Sequence, residues 1–399
     1  MSPRNRLLIA LVSTGLVGYV ALGSLPSKVR GDTAYGQLTV FNEVVRLVLD
    51  SYVEPVDLDR TLASAEAGLT EALDGDSAYL DEAAFKAWQQ PPPHDAEIGV
   101  TLTRRFAFLM VVAARPGSPA ERAGLRTGDL VKTIDGRHTR NIPATVGEQM
   151  LRGAPGSVVK LEIMRTRTEP IAFDVARERA QPAPPESRRL ERGPGYVRIR
   201  EFAPQTADDV RARLEALSRE GARSLVLDLR DAATGQPTEA IKVAELFVSS
   251  GVLSRLSGRK VPEQVFKADP ARHAWTQPVV VLVDNGTAGP GEILAAALLD
   301  AERARLVGQH TFGRAGLQKG VPLPEGGLVL TVAKYLTPKG EAIHGKGLEP
   351  SEVVALPARQ DDDADDEGAP AAKPTAPAPD PVLERALDLL DEPAAKKAA

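Results

Sequence analysis

The chain has 399 residues, which at roughly 150 residues per domain implies two to three domains and excludes a single small fold. Hydrophobic residues make up 43% and charged residues 26%, a balance that excludes a wholly disordered chain and a polytopic membrane protein. With 49 Lys plus Arg against 54 Asp plus Glu, the net charge of −5 gives nucleic acid no electrostatic footing, and zero cysteines exclude disulfides, thiolate catalysis and cysteine-bound metals.

Arg4 and Arg6 precede an uncharged stretch, Leu7 to Leu25, long enough as a helix to match a bilayer's apolar thickness. Residues 1–30 therefore read as an export signal or single membrane anchor, which puts the body outside the cytoplasm, periplasmic, anchored or secreted. Residues 31–93 carry helical spacing, with Leu38, Phe41, Val44, Val45, Leu47 and Val48 on one side and Leu62, Ala65, Leu69 and Leu73 on another. A small helical domain is expected, ended by Pro91, Pro92 and Pro93.

Across 94–180 the pattern changes to short strands with glycine turns and two short helices, at 118–125 with a glycine stop and at 143–151. From 181 to 357 strands alternate with helices. Ser224 to Leu229 and Val279 to Asp284 are almost wholly apolar, as strands covered on both faces must be. Residues 358–399 start with the acidic run Asp361 to Glu367 and a Pro/Ala stretch, too poor in apolar surface to order. They end in an amphipathic helix over 382–390, too short to stand without a docking surface. The expected fold class is multidomain α+β, with a helical segment, a β domain with two helices and an α/β core.

Chemistry concentrates at Gly286 to Glu292, which follows a buried strand and opens a helix, the place where α/β folds put active sites. A plain glycine-rich turn has the same form, and a phosphate loop is ruled out by the missing GKS or GKT ending. The five histidines, at 94, 138, 273, 310 and 344, show no metal-ligand spacing; no metal or cofactor is expected.

The segments DNGTAGPGEILAAALLD, TFGRAGLQ, LTVAKYLTPKGEAI and HGKGLEP resemble the carboxyl-terminal processing, or tail-specific, serine proteases, from about Tyr35 to Val354. The resemblance implies that 94–180 is a PDZ domain and 181–357 the protease core. It also implies a nucleophilic serine at position 289, a general-base lysine at 314 and a supporting glutamine at 318. Here the first two are Gly289 and Arg314, while Gln318 is kept. Gly286, Ala288, Glu292, Gly313, Gly345 and Gly347 also match the family pattern. Gly289 has no atom with which to attack a carbonyl, and arginine holds its proton far above neutral pH and cannot serve as a base. In the turn that lends an amide to the family's oxyanion hole, Thr234 stands for the first glycine and Gly235 for the second. If position 234 needs φ > 0, the hole is distorted.

The resemblance further implies a groove in the PDZ domain for the C-termini of peptides, with Ile98, Gly99 and Val100 as the carboxylate loop and Gln149 and Met150 on the flanking helix. Glu97 replaces the loop's first glycine; its carboxylate either repels a peptide's own or points to water. The expected protein is a non-catalytic, peptide-binding or regulatory pseudoprotease. Its expected partners are C-terminal peptides, an active protease relative, the membrane through the N-terminal segment, and a second copy of itself. Two alternatives stay open: an active endopeptidase with a displaced nucleophile such as Thr287, aided by Lys319, and a structural envelope scaffold.

Overall fold

A computed structural model of the chain describes residues 32–90, 96–165, 169–181, 183–355 and 380–392. The leader 1–30, the Pro91–Pro93 linker and the acidic run lie outside them. The chain divides into two units, residues 1–65 and 66–399.

The first unit contains helix α1 (Asp32–Ser51) and the start of α2 (Leu58–Glu71). Arg46 bridges Glu43 and Asp50 along one face of α1. Among the described residues, Leu38, Phe41, Val44, Leu47 and Val48 are exposed, while Val45, Leu62 and Ala65 are partly buried. The apolar spacing was sufficient to specify the helix.

The second unit starts before the expected boundary. Strand β1 (Ala78–Leu80) pairs antiparallel with a strand of the protease-like core, β20, described below, and helix α3 (Glu82–Gln89) follows it. Asp81 caps α3 by accepting from the Ala84 amide, and Phe85 is buried with Ala78, Leu80 and Val329. Three residues are too few to display a strand's period, so these residues looked like the remainder of a helical domain.

The β domain comprises β2 (Ala96–Glu97), β3 (Val100–Arg105), β4 (Phe108–Ala114), α4 (Pro119–Ala123), β5 (Leu130–Ile134), β6 (Arg137–His138), α5 (Ala144–Met150), β7 (Val158–Met164), β8 (Ile171–Ala176) and β9 (Glu178–Arg179). Its antiparallel sheet runs β3-β4-β5-β7-β8, with β6 on β5, and β2 pairs with β9. Local sequence sets α4: Ser118 accepts from the Glu121 amide, Pro119 opens the helix, and Gly124 at φ +90° closes it.

The core continues with β10 (Glu186–Arg189), β11 (Gly195–Arg198), β12 (Glu201–Phe202), α6 (Thr206–Arg219), β13 (Leu225–Asp228), β14 (Thr234–Gly235), α7 (Pro237–Glu245), β15 (Val252–Gly258) and β16 (Val261–Lys267). It ends with β17 (Val279–Val283), α8 (Pro290–Asp300), β18 (Ala304–Gly308), β19 (Gly316–Leu323), β20 (Gly326–Leu336), β21 (Glu352–Val353) and α9 (Pro381–Asp391). One sheet runs β10-β11-β13-β17-β18-β21, parallel from β11 onward; a second runs β1-β20-β15-β16, with β19 on β20.

Alternate residues of the central strands explain the apolar runs. Leu225, Leu227, Val279, Val281 and Val283 pack beneath α6, α7 and α8, while Val226, Val280 and Leu282 face α9 through Val382, Ala386, Leu387 and Leu389. Helix α9 thus has the docking surface its amphipathic sequence needs, and it belongs to the core. Arg192 grips it at Glu384, Asp388 and Asp391, and Arg230 holds its capping Asp380.

Candidate active site

The site lies where β13 and β17 end. After β17 the chain turns through Asp284 to Gly289 into α8. Gly289 sits at φ +51°, ψ −112°, the strained backbone of an elbow that would present a nucleophile. A Cβ built on Gly289 would lie 3.3 Å from the Arg314 carbonyl oxygen and 3.8 Å from that of Ala233. Positions 289 and 314 therefore meet as the resemblance implies, but through a backbone oxygen. A side chain at 289 would start against two backbone carbonyl oxygens.

Glu292 fixes this arrangement. It is fully buried and accepts from Thr311 Oγ1 at 2.5 Å, Gly313 N at 2.6 Å, Arg314 N at 2.9 Å and Gly289 N at 3.0 Å. The amide of Gly289 is thereby engaged inside its own helix cap. Burial raises the carboxyl above its ordinary range in spite of these four donors.

The Arg314 side chain leaves the elbow. Its Nε lies 3.0 Å from both Asp76 oxygens. Burial alone would lower its pKa, yet Asp76 and Glu148 raise it, so the guanidinium is held charged. Arg314 thus ties the segment before β1 and helix α5 to the core. Neither acid is near 314 in sequence, and no local pattern points to them; only the general need of a largely covered cation for carboxylates anticipates them.

Gln318 Nε2 donates to Thr331 Oγ1 at 3.3 Å across the β19–β20 hairpin. The Thr287 hydroxyl is buried and donates to the Leu229 carbonyl at 2.8 Å, while accepting from Asp284 N at 3.0 Å. Lys319 is exposed on β19. These two do not form a substitute dyad. Val112 and Ala113 of β4 are buried with Ala233 and Ala288, so the PDZ strand lies over the elbow.

Thr234 has no positive φ; it lies in β14 opposite Glu201. The strict requirement falls on Gly235, at φ +108°, where a Cβ would sit 2.3 Å from the Phe202 carbonyl oxygen. Gly286 is equally constrained, since a Cβ there would meet Asp231 Oδ1 at 2.6 Å.

Asp231 and Asp284 border a cavity of about 400 Å³. Burial first, then the Asp231 carboxyl, pushes Asp284 up to about 7. Its folded pKa thus exceeds its unfolded value, and the stability it contributes is present below about pH 4 and lost as pH rises through 7. Thermal melts of the native chain and Asp284→Asn, whose Oδ1 can keep the Asp231 and Gly286 amides, should diverge as pH rises from 5 to 8. The variant is expected to become relatively more stable by about 3 °C; parallel curves would refute the assignment.

Ile98, Gly99 and Val100 line a cavity of about 170 Å³ together with Glu97, Glu148, Arg152 and the core's Thr234. Met150 does not line it, because its side chain packs on the PDZ core. Gln149 lines a neighbouring cavity of about 190 Å³. Glu148 on α5 faces the loop, with Leu151 and Arg152 just past the helix's last residue. Among the described residues no cluster of three or more His, Asp or Glu suits a metal ion.

Residues 193–354 match peptidase family S41 and residues 110–165 match a PDZ domain. The chain is 30% identical over 359 residues to the carboxy-terminal processing protease CtpA of Bacillus subtilis (strain 168), covering 88% of this chain and 76% of that one. It is 36% identical over 255 residues to the carboxyl-terminal-processing protease of Synechocystis sp., covering 62% of this chain and 60% of that one. Among solved structures, the photosystem II D1 C-terminal processing protease superposes with a TM-score of 0.66 at 26% identity, covering 79% of this chain and 92% of that one.

Proposed function

Since the chain belongs to peptidase family S41, among the carboxy-terminal processing proteases, we propose that it is a non-catalytic member that binds peptides: an exported pseudoprotease. One observation carries this reading. At the elbow there is a hydrogen in place of a hydroxyl, and the space above it is faced by the Arg314 and Ala233 carbonyl oxygens.

The rest of the site supports it. An amine base must be neutral near pH 7, whereas Arg314 is a cation clamped to Asp76. Loss of nucleophile or base in such a unit costs on the order of a millionfold in rate, and the losses do not compensate each other. The fold around the elbow is intact, with Glu292 and Gly235 in place, so the chain keeps the family's shape without its chemistry. What remains useful is the PDZ groove. It can hold the C-termini of other proteins, or present the chain as a regulatory partner to an active relative. The apolar leader at 7–25 supports placement outside the cytoplasm, anchored or released.

Full-length protein in mild detergent, incubated with an unstructured substrate bearing an apolar C-terminus, is expected to leave it intact while binding its C-terminal peptide with a micromolar Kd. Binding should disappear when the peptide's carboxylate is amidated. Cleavage that vanishes in Thr287→Ala would overturn the proposal in favour of a displaced nucleophile.

A further inference from the structure

We propose that Glu97 is a built-in competitor for the ligand's terminal carboxylate: its side chain already occupies the cationic end of the PDZ groove, and so sets the affinity and selectivity of that groove. The inference rests on the reading of the groove as a site for peptide C-termini.

The strand geometry aims Glu97 there. Ala96 and Glu97 pair with Arg179 and Glu178, Ile98 is buried in the PDZ core, and successive side chains of an extended segment point opposite ways. Glu97 thus projects on the other side of the chain, where its Oε1 lies 2.7 Å from Arg115 Nη1 and its Oε2 3.9 Å from Arg152 Nε. Both arginines line the cavity with the loop. Arg115 is only 13% exposed at its side chain, and its Nη2 lies 3.3 Å from where a Cβ on Gly99 would be. The guanidinium is therefore seated on the loop itself.

The loop amides belong to the same spot. The Ile98 carbonyl accepts from Ala120 N at 3.0 Å, and in a trans peptide the Gly99 N–H points the opposite way, away from α4. A peptide carboxylate drawn to that N–H would need the charge of Arg115, which Glu97 already holds. A ligand with a free carboxylate must displace the Glu97 side chain or bind without its strongest partner. A blocked terminus offers neither the loop nor Arg115 a charge, so Glu97 has no bearing on it.

The test measures anisotropy of a labelled decapeptide ending in three apolar residues, free or amidated, with the full-length chain, Glu97→Gln, and Glu97→Gly. Both variants are expected to bind the free-carboxylate peptide about tenfold more tightly, while the amidated one stays unbound by all three proteins. Adding Arg115→Gln to Glu97→Gln should abolish the gain. Unchanged or weaker affinity in the variants, with measurable binding by the native chain, overturns the competitor. If native chain and both variants all fail to bind while melting cooperatively, the peptide-binding reading itself fails and takes the competitor with it.

Discussion

Glu292→Ala is expected to destabilise the 66–399 unit by about 4 kcal/mol and to lower its Tm by about 6 °C. The carboxyl accepts four donors, from Thr311, Gly313, Arg314 and Gly289, the first two of them fully buried. Deleting the acceptor strands all four, and a buried donor left without a partner costs about 1–3 kcal/mol. The four costs do not simply add, because water and relaxation recover part of them. Glu292→Gln keeps one acceptor oxygen but turns an amide group toward donors, and its loss should fall between native and alanine. Calorimetry and urea denaturation read both variants. A fall of less than 2 °C in the alanine variant would mean that the elbow is held by packing alone, without the Glu292 cage.

Arg314→Ala is expected to cost about 2–3 kcal/mol: its side chain is 25% exposed, so solvent screens part of the pair, but buried Asp76 is left uncompensated. Asp76 is 5% exposed at its side chain and accepts from Arg314 Nε, while Glu148 feels the same cation from α5. Arg314→Lys keeps the charge but loses the guanidinium's two-oxygen fit to Asp76, so a smaller loss is expected. Asp76→Asn in the Arg314→Ala background should recover stability, since it removes a buried charge that has lost its partner. A double-mutant cycle over 76 and 314 measures this directly. A cycle energy below about 0.5 kcal/mol would show that Arg314 is an idle remnant at the base position rather than a clamp.

Much of the architecture could be read from local pattern. The capped helix from Ser118 to Gly124, the twin-faced strands at 225–228 and 279–283, and the strand-to-helix elbow at 284–292 follow rules that act within a few residues. The helix at 381–391 was legible for the same reason, although its docking face on Val226, Val280 and Leu282 was not. The N-terminal region misled because its helical period was read as a packed domain, when three of its residues complete a strand of the core sheet. The residue change at Thr234 is visible in the sequence, but that the positive φ belongs to Gly235 is visible only in the dihedral angles.

The chemistry divides along the same line. That position 289 has no hydroxyl and position 314 no titratable amine is a property of the residues themselves, and no fold can add the missing atoms. Where the Arg314 side chain goes, which acids hold it, and what Glu97 does with its charge were decided by the tertiary structure alone. Asp76 and Arg314 stand 238 positions apart in the chain, and the energy of a buried charge depends on which groups the fold places beside it, a matter on which neighbouring sequence is silent.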